Sequence, residues 1–329
     1  MRNIAIDLGT SNTVIFMAGR GIVLNEPTVL TVDANDLLAV AAGEAAKKMM
    51  GRTGETLEVI RPLKAGVIAD FAGAVGMLKV FMKKAFRQTM YSGNVALLAV
   101  PSVISAVEKR AATEALARVG AKNAVVIESS LAAALGAGLA VSESGGSMVV
   151  HIGGGTTEIA VITLGKIAVG TTLRYGGDDI DEEIINYIKK EKNILIGALT
   201  AEKIKTETGG LSDYDKTIKR RYRGRDLISG LPRSFSLSGE EIHSVFEAFF
   251  THIADEIKSV ADKTPPELTA DVIDKGFTLT GGGANVKGAV QFLTEQTNFK
   301  CVAADEPQLC AIKGLGKMLE EKTYKRFLE

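Results

Sequence analysis

The sequence predicts an α/β protein of two related halves folded around a ligand cleft. Two observations lead there: a glycine-rich turn that occurs twice, and repeated passages from an apolar strand through polar residues into a helix. The fuller copy of the turn is Met148 to Ile162, MVVHIGGGTTEIAVI. Apolar runs flank Gly153, Gly154, Gly155, Thr156 and Thr157, which reads as strand, tight turn, strand. Glycine amides carry no shielding side chain and the threonines add hydroxyls, so such a turn can wrap an anion such as phosphate. The other copy is Asn3 to Ile15, NIAIDLGTSNTVI. A shift of about 144 positions lays Asp7 on His151, Gly9 on Gly153, Ser11 on Gly155 and Thr13 on Thr157. Two phosphate-gripping hairpins, each opening one half of the chain with a cleft between, outline a nucleotide-binding protein.

Composition sets the limits. The 329 residues are 46% hydrophobic and 24% charged, enough for a large core and two domains or more. Lys plus Arg and Asp plus Glu each total 39, so the net charge of zero gives no global hold on nucleic acid or anionic lipid. Cys301 and Cys310 belong to no CxxC or Cys/His cluster, which favours a reduced, cytoplasmic protein over a disulfide framework or zinc site. The chain passes from Met1 and Arg2 straight into a strand, without a signal peptide. Its longest low-charge stretch, Ser129 to Ser142, is shorter than a spanning helix needs, so a soluble protein is expected.

In chain order, the first hairpin leads into GIVLNEPTVLTV, Gly21 to Val32, where alternation and the Asn-Glu-Pro break predict further strands of an antiparallel meander. Gly43 to Met50 reads as a short helix and Arg61 to Phe71 as a broken connection. Val75, Leu78, Phe81, Met82 and Phe86 have helical spacing, and Asn94 to Val100 is a buried-type strand. Between them lies a tip, Arg87 to Gly93. Pro101 to Gly120 reads as a helix entered by Pro-Ser. The strand Ala124 to Ile127 delivers Glu128, Ser129 and Ser130 to an alanine-rich helix, the kind of junction where α/β sheets place ligand groups. The flexible SESGGS, Ser142 to Ser147, marks the domain boundary.

In the second half, YGGDDID introduces a helix with Asp178 and Asp179 in its first turn and Lys189 and Lys190 in its last, matching the helix dipole. Glu202 and Lys205 share a face of the next helix. Gly209 to Gly230 reads as polar and irregular, and its basic run Lys216 to Arg225 as a solvated loop. Glu240 to Lys263 is a long amphipathic helix ending before Pro265 and Pro266. Phe277 to Leu279 is a strand running into a third glycine turn, Thr280 to Asn285, and then a helix; Gln308 to Glu321 closes the chain as a helix.

The ordered set IDLGTSNT, NEPTVL, VIRPLKAGVIADF, VPS with EKRAA, IGGGTTE, GGDDIDE, INYI, RDLISGLPR, KTPPEL and LTGGGA resembles the MreB family of bacterial actins, within the superfamily shared by actin, DnaK-type chaperones and sugar kinases. The resemblance covers about residues 3 to 320. It implies an actin-like two-domain fold, a duplicated mixed β-sheet with flanking helices around a central nucleotide cleft. Domain I would be 1–142 plus about 307–329, and domain II 143–306. It implies ATP or ADP with Mg2+ as ligands. Gly9, Thr10, Ser11 and Asn12 would hold the β- and γ-phosphates, with Gly153, Gly154, Gly155 and Thr156 clamping them from the other side. Asp7 would position the water shell of Mg2+. Gly177 and Asp178 would lie beside the ribose, Glu202 and Lys205 would line the nucleoside, and Gly282, Gly283, Ala284 and Asn285 would bracket it from beneath.

The departures matter as much. The family has an aspartate at the position of His151, and Glu-Glu-Pro where this chain has Glu128, Ser129 and Ser130. Phosphoryl transfer rests on positioning and charge neutralisation, so a set Glu128, Ser129, His151 that lacks two water-directing carboxylates should bind ATP and hydrolyse it slowly or not at all. A histidine there adds positive charge only when protonated. The resemblance further implies filaments of the chain with itself, possible copolymers with other members of the family, contact with the inner face of the membrane through the tip residues Met90 and Tyr91, and wall-synthesis or shape proteins as partners. Nucleic acid is not an expected partner. Rival readings are a capping paralogue that forms no filament alone, and a small-molecule kinase, which would need a catalytic aspartate in a sugar-binding insert.

Overall fold

The computed structural model describes residues 3–86, 93–212 and 218–327. The first half opens with the meander β1 (Ile4–Leu8), β2 (Asn12–Met17) and β3 (Gly21–Pro27). A small sheet then forms from β4 (Leu30–Asp33) and β5 (Ala39–Ala42), and, beyond helix α1 (Glu44–Met49), β6 (Leu57–Ile60). The stretch expected as a bare connection contains a two-strand ribbon, β7 (Leu63–Lys64) and β8 (Val67–Ile68). Helix α2 (Phe71–Ala85) begins at Asp70, whose carboxylate accepts from the Gly73 amide at 3.0 Å. Strand β9 (Gly93–Val100), helix α3 (Ala106–Arg118), strand β10 (Ala121–Glu128) and helix α4 (Ser129–Gly136) complete this half.

Helix α3 starts later than the Pro-Ser signal at Pro101 predicts. Ser105 and Glu108 form a reciprocal capping box, with Glu108 N donating to Ser105 Oγ at 3.2 Å and Ser105 N to Glu108 Oε2 at 2.8 Å. Two satisfied amides fix the start there, and Pro101 and Ser102 are left in the turn after β9.

The second half repeats the plan with β11 (Ser147–Ile152), β12 (Thr157–Thr163) and β13 (Lys166–Leu173). Helix α5 (Gly177–Lys192), strand β14 (Ile194–Leu195) and helix α6 (Ala198–Glu207) follow. The region read as irregular, Gly209 to Gly230, holds strand β15 (Arg220–Asp226), which forms a hairpin with β16 (Pro232–Leu237) just beyond it. Its alternation hides behind arginines: Arg221, Arg223 and Arg225 line one edge of the pattern while Tyr222, 4% exposed, turns inward onto Phe235. Helix α7 (Gly239–Lys263) is capped by Ser238 and Glu241. Pro265 and Pro266, read as a stop, also start helix α8 (Pro266–Lys275). Strand β17 (Phe277–Thr280), helix α9 (Ala289–Thr297), strand β18 (Cys301–Ala303) and helix α10 (Cys310–Glu321) finish the chain.

Two five-stranded sheets result, in the orders β10-β9-β1-β2-β3 and β13-β12-β11-β17-β18. In each, a hairpin is antiparallel while the strand beside its first member runs parallel: β1 with β9, and β11 with β17. Helices α4 and α10 lie between the sheets in one apolar core that takes Ala5, Leu97 and Val125 from the first and Val149, Ala160 and Ile162 from the second. Their backbones meet at Gly136 and Gly314, where a Cβ would overlap the carbonyls of Cys310 and Ala132. Separate cores fill the outer faces, around Met77, Leu78 and Phe81 in the first half and Phe246, Phe249 and Phe250 in the second. The fold is actin-like, and both hairpin tips point into the cleft between its halves. Among the described residues no helix is long and apolar enough to cross a membrane.

Candidate nucleotide site

The two tips close in the same way. Gly9 N donates to Asn12 O at 3.0 Å, and Gly153 N to Thr156 O at 2.8 Å, equivalent bonds under the internal repeat. They meet across the cleft without room for side chains: a Cβ on Gly154 would overlap Ser11, and one on Gly155 would overlap Thr10. Thr10 is held in turn, its Oγ1 accepting from Gly66 N at 2.9 Å. Thr28 Oγ1 donates to Gly9 O at 2.7 Å, bracing the first tip from just beyond β3.

Above the tips lies a cavity of about 450 Å3, within the range of small-molecule sites. Asp7, Gly9, Thr10, Ser11, Asn12, Ser129, His151, Gly153, Gly154, Gly155 and Thr156 line one end. Gly177, Glu202, Lys205, Gly282, Gly283 and Asn285 line the other. Three residues assigned to this site from the sequence do not line it. Glu128 is the residue before α4 and its side chain lies outside the lining; Asp178 turns to Arg61, 2.7 Å away; and Ala284 packs against the outer core of the second half. Met90 and Tyr91 lie outside the described residues.

Several polar groups near the cavity are engaged with one another. Lys47 on α1 grips both carboxylate oxygens of Glu202 on α6, at 2.8 and 2.7 Å, and so bridges the halves above the cavity. Lys205 donates to Gly177 O and to Asp181 Oδ2, both at 2.7 Å. Asp181 pays for that burial: desolvation raises its carboxyl to about 6 in spite of Lys205.

One lining residue escaped the sequence reading. Glu158 on β12 is 1% exposed and accepts from Ser102 N at 2.9 Å and Ser102 Oγ at 2.6 Å. Ser102 Oγ lies 2.7 Å from Ser130 Oγ, so the chain's Ser-Ser at α4 takes part in holding this carboxylate. Burial raises Glu158 to about 7, against the pull of the Ser102 and Ser130 bonds and with help from the charge of Asp7; Asp7 itself is raised by burial to about 6. The signal was present: Glu158 is the one charge in an apolar strand, and the repeat sets it on Val14.

His151 Nδ1 lies 3.0 Å from Thr280 Oγ1, which itself donates to Val150 O at 3.3 Å. Burial pushes the imidazole down to about 4, so the positive charge considered from the sequence is absent at neutral pH.

The cavity thus offers amides and hydroxyls at its hairpin end and two carboxylates raised by burial; among the described residues no lysine or arginine lines that end, although Arg61 Nη2 donates to Thr10 O at 3.3 Å from outside the lining. That is a donor set short of positive charge, and a divalent cation arriving with a polyphosphate fits it.

A two-lobed actin-like fold with paired glycine hairpins defines the class. The comparisons narrow it. The MreB/Mbl protein family matches residues 1–326. The chain is 42% identical to the cell shape-determining protein Mbl of Bacillus cereus, over 97% of this chain and 96% of that one. It is 43% identical to the cell shape-determining protein MreB of Escherichia coli, over 97% of this chain and 93% of that one. The crystal structure of MreB5 of Spiroplasma citri bound to AMPPNP superposes with a TM-score of 0.93 at 34% identity, covering 99% of this chain and 97% of that one. The chain belongs to the MreB/Mbl family.

Proposed function

We propose that this chain binds ATP or ADP with a divalent cation, Mg2+ in the first instance, in the cleft between its halves and polymerises in that state into filaments. These filaments lie at the inner face of the cell membrane, support cell shape and organise wall-synthesis proteins, and they hydrolyse ATP weakly or not at all. The observation that carries the reading is the meeting of the two hairpin tips, Thr10 and Ser11 against Gly154 and Gly155, beneath a cavity of nucleotide size. The related MreB5 holds AMPPNP, a nucleoside triphosphate analogue, which supports a nucleotide as the ligand here. Cell shape comes from the names of the curated relatives.

Within this reading, the division falls at 142/143 and again near 306/307. Its support is that α10 returns to β1, β2 and β9 of the first sheet. The backbone amides and hydroxyls at 9–12 and 153–156 hold the phosphates from opposite sides. Asp7 orients the water around the cation, which supplies the positive charge the protein lacks at that end. Gly177, Gly282, Gly283 and Asn285 bracket ribose and base. Glu202 and Lys205 act from fixed positions, because Lys47 and Asp181 already hold them. Ser129, in the cavity wall, offers a hydroxyl where turnover asks for a carboxylate base. Nucleotide bound to both hairpins favours the closed form, and closure selects the polymerising subunit. Membrane contact rests on Met90 and Tyr91 and on the family, and many weak contacts along a filament would add up.

Phosphate release from the purified protein with ATP and Mg2+, measured beside pelleting and electron microscopy of the same sample, tests the reading. Filaments with little or no release are expected. Rapid release at filament assembly refutes the weak-hydrolysis part, and no nucleotide-dependent pelleting refutes the polymer. Co-sedimentation of filaments with anionic vesicles, lost in a Met90→Ser/Tyr91→Ser variant, is the expected membrane result.

A further inference from the structure

We propose that His151 is a direct nitrogen ligand to the divalent cation that accompanies the nucleotide, so that this site prefers a first-row transition ion to Mg2+. The inference rests on the nucleotide reading above and concerns which cation completes it.

The imidazole is fixed at one nitrogen and free at the other. Thr280 Oγ1 spends its single proton on Val150 O, at 3.3 Å, and is therefore the acceptor toward His151 Nδ1 at 3.0 Å. That bond places the ring proton on Nδ1, and the lone pair is left on Nε2. Among the described residues Nε2 has no hydrogen-bond partner, yet it is not among the buried polar atoms left unsatisfied; the ring stands in the cavity wall, so the lone pair is open to the cavity. Burial keeps the ring neutral, as a ligand must be.

The position supports the same conclusion. His151 is the penultimate residue of β11 before the second hairpin tip, as Asp7 is of β1 before the first, and the two are mates under the repeat. One carboxylate and one imidazole therefore approach the phosphate end from opposite halves. Among the described residues no three potential ligands gather anywhere, this site included, so phosphate oxygens and water would fill the remaining places. Mg2+ is a hard ion that seeks oxygen and keeps its waters, whereas imidazole suits the transition ions. Thr280, bonded to the far nitrogen, takes the place that a carboxylate, backbone carbonyl or water commonly has behind a metal-bound histidine, and it sets both tautomer and ring angle.

The test uses the full chain with ADP and Mn2+ as probe. Pulsed electron paramagnetic resonance of the bound Mn2+ should show coupling to a 14N nucleus, and His151→Asp should abolish it. Binding of a fluorescent ADP, measured with Mn2+ and with Mg2+, should favour Mn2+ in the parent chain and lose about tenfold of that preference in His151→Asp. Thr280→Val, which keeps the shape but releases the ring, should weaken Mn2+ by about tenfold while the nitrogen coupling persists. If ADP and Mn2+ bind but the parent spectrum carries no nitrogen coupling, the proposal is overturned and the nucleotide reading stands. If fluorescent ADP binds with neither ion, both fall. Recorded with 15N-labelled ADP, so that no adenine nitrogen contributes 14N coupling, the parent spectrum decides the matter even should a variant fail to fold.

Discussion

Glu158 offers a measurement with a worked sign. Its ordinary value is 4.5, and in the folded chain burial raises it to about 7. The folded state therefore holds this proton more tightly than the unfolded one, and the associated stability is present below pH 4.5 and lost as pH rises toward 7. At 1.36 kcal/mol for each factor of ten in proton affinity, the loss is about 3 kcal/mol. Glu158→Gln keeps the shape and cannot ionise, so it should lack this slope. Urea unfolding of both proteins at pH 5 and at pH 8, without nucleotide, gives the answer. Relative to the parent, the variant should gain about 2 to 3 kcal/mol between the two pH values. Asp7 titrates over a lower interval, from 3.8 to about 6, and is common to both proteins, so its own slope largely cancels in the comparison. Its charge helps raise Glu158, so Asp7→Asn should shrink the effect. Adding ADP with a divalent cation should shrink it too, since a cation at that end favours the ionised carboxylate. Parallel pH curves for parent and Glu158→Gln would refute the assignment of a buried, proton-holding carboxyl.

His151 carries the opposite sign. Its ordinary value of 6.5 is pushed down to about 4, so the unfolded state binds the proton more tightly and stability is lost as pH falls from 6.5 toward 4. His151→Asn should be spared about 2 kcal/mol of that acid-side loss, read by urea unfolding at pH 4.5 against pH 7. Gly155→Ala sets a methyl against Thr10 and should hold the hairpin tips apart; nucleotide affinity by fluorescence titration should fall at least about tenfold, with the circular dichroism of the parent retained. Gly314→Ala drives a methyl into the Ala132 carbonyl at the α4–α10 crossing, and denaturant unfolding should show a loss of about 1 to 3 kcal/mol.

What the sequence disclosed follows from what each feature needs. A phosphate grip uses backbone amides, so it demands glycine at fixed places, and the repeat from Gly9 to Gly153 could be read directly; the two tips close with the same bond. Helix ends were legible where dipole and cap agree, as at Asp178 and Asp179, and misplaced where Pro101 imitated an entry that the Ser105–Glu108 box supplies later. The arginines of β15 concealed a strand because Tyr222 alone marks its buried face. Cross-cleft pairs were out of reach. Lys47 and Glu202 are 155 residues apart and Arg61 and Asp178 are 117 apart, and spacing says nothing about which cation meets which carboxylate across a cleft. That gap changes the chemistry assigned. Asp178 and Glu202, read as nucleoside contacts, spend their charge joining the halves, while Glu158 and Asp7 are left at the phosphate end without a basic partner. A polyphosphate entering alone would add negative charge beside two buried carboxylates, each already displaced toward its protonated form. Among the described residues Lys47 and Arg61 are paired with carboxylates across the cleft and no lysine or arginine lines the cavity beside Asp7 and Glu158, so under the proposed function a divalent ion would enter with the nucleotide.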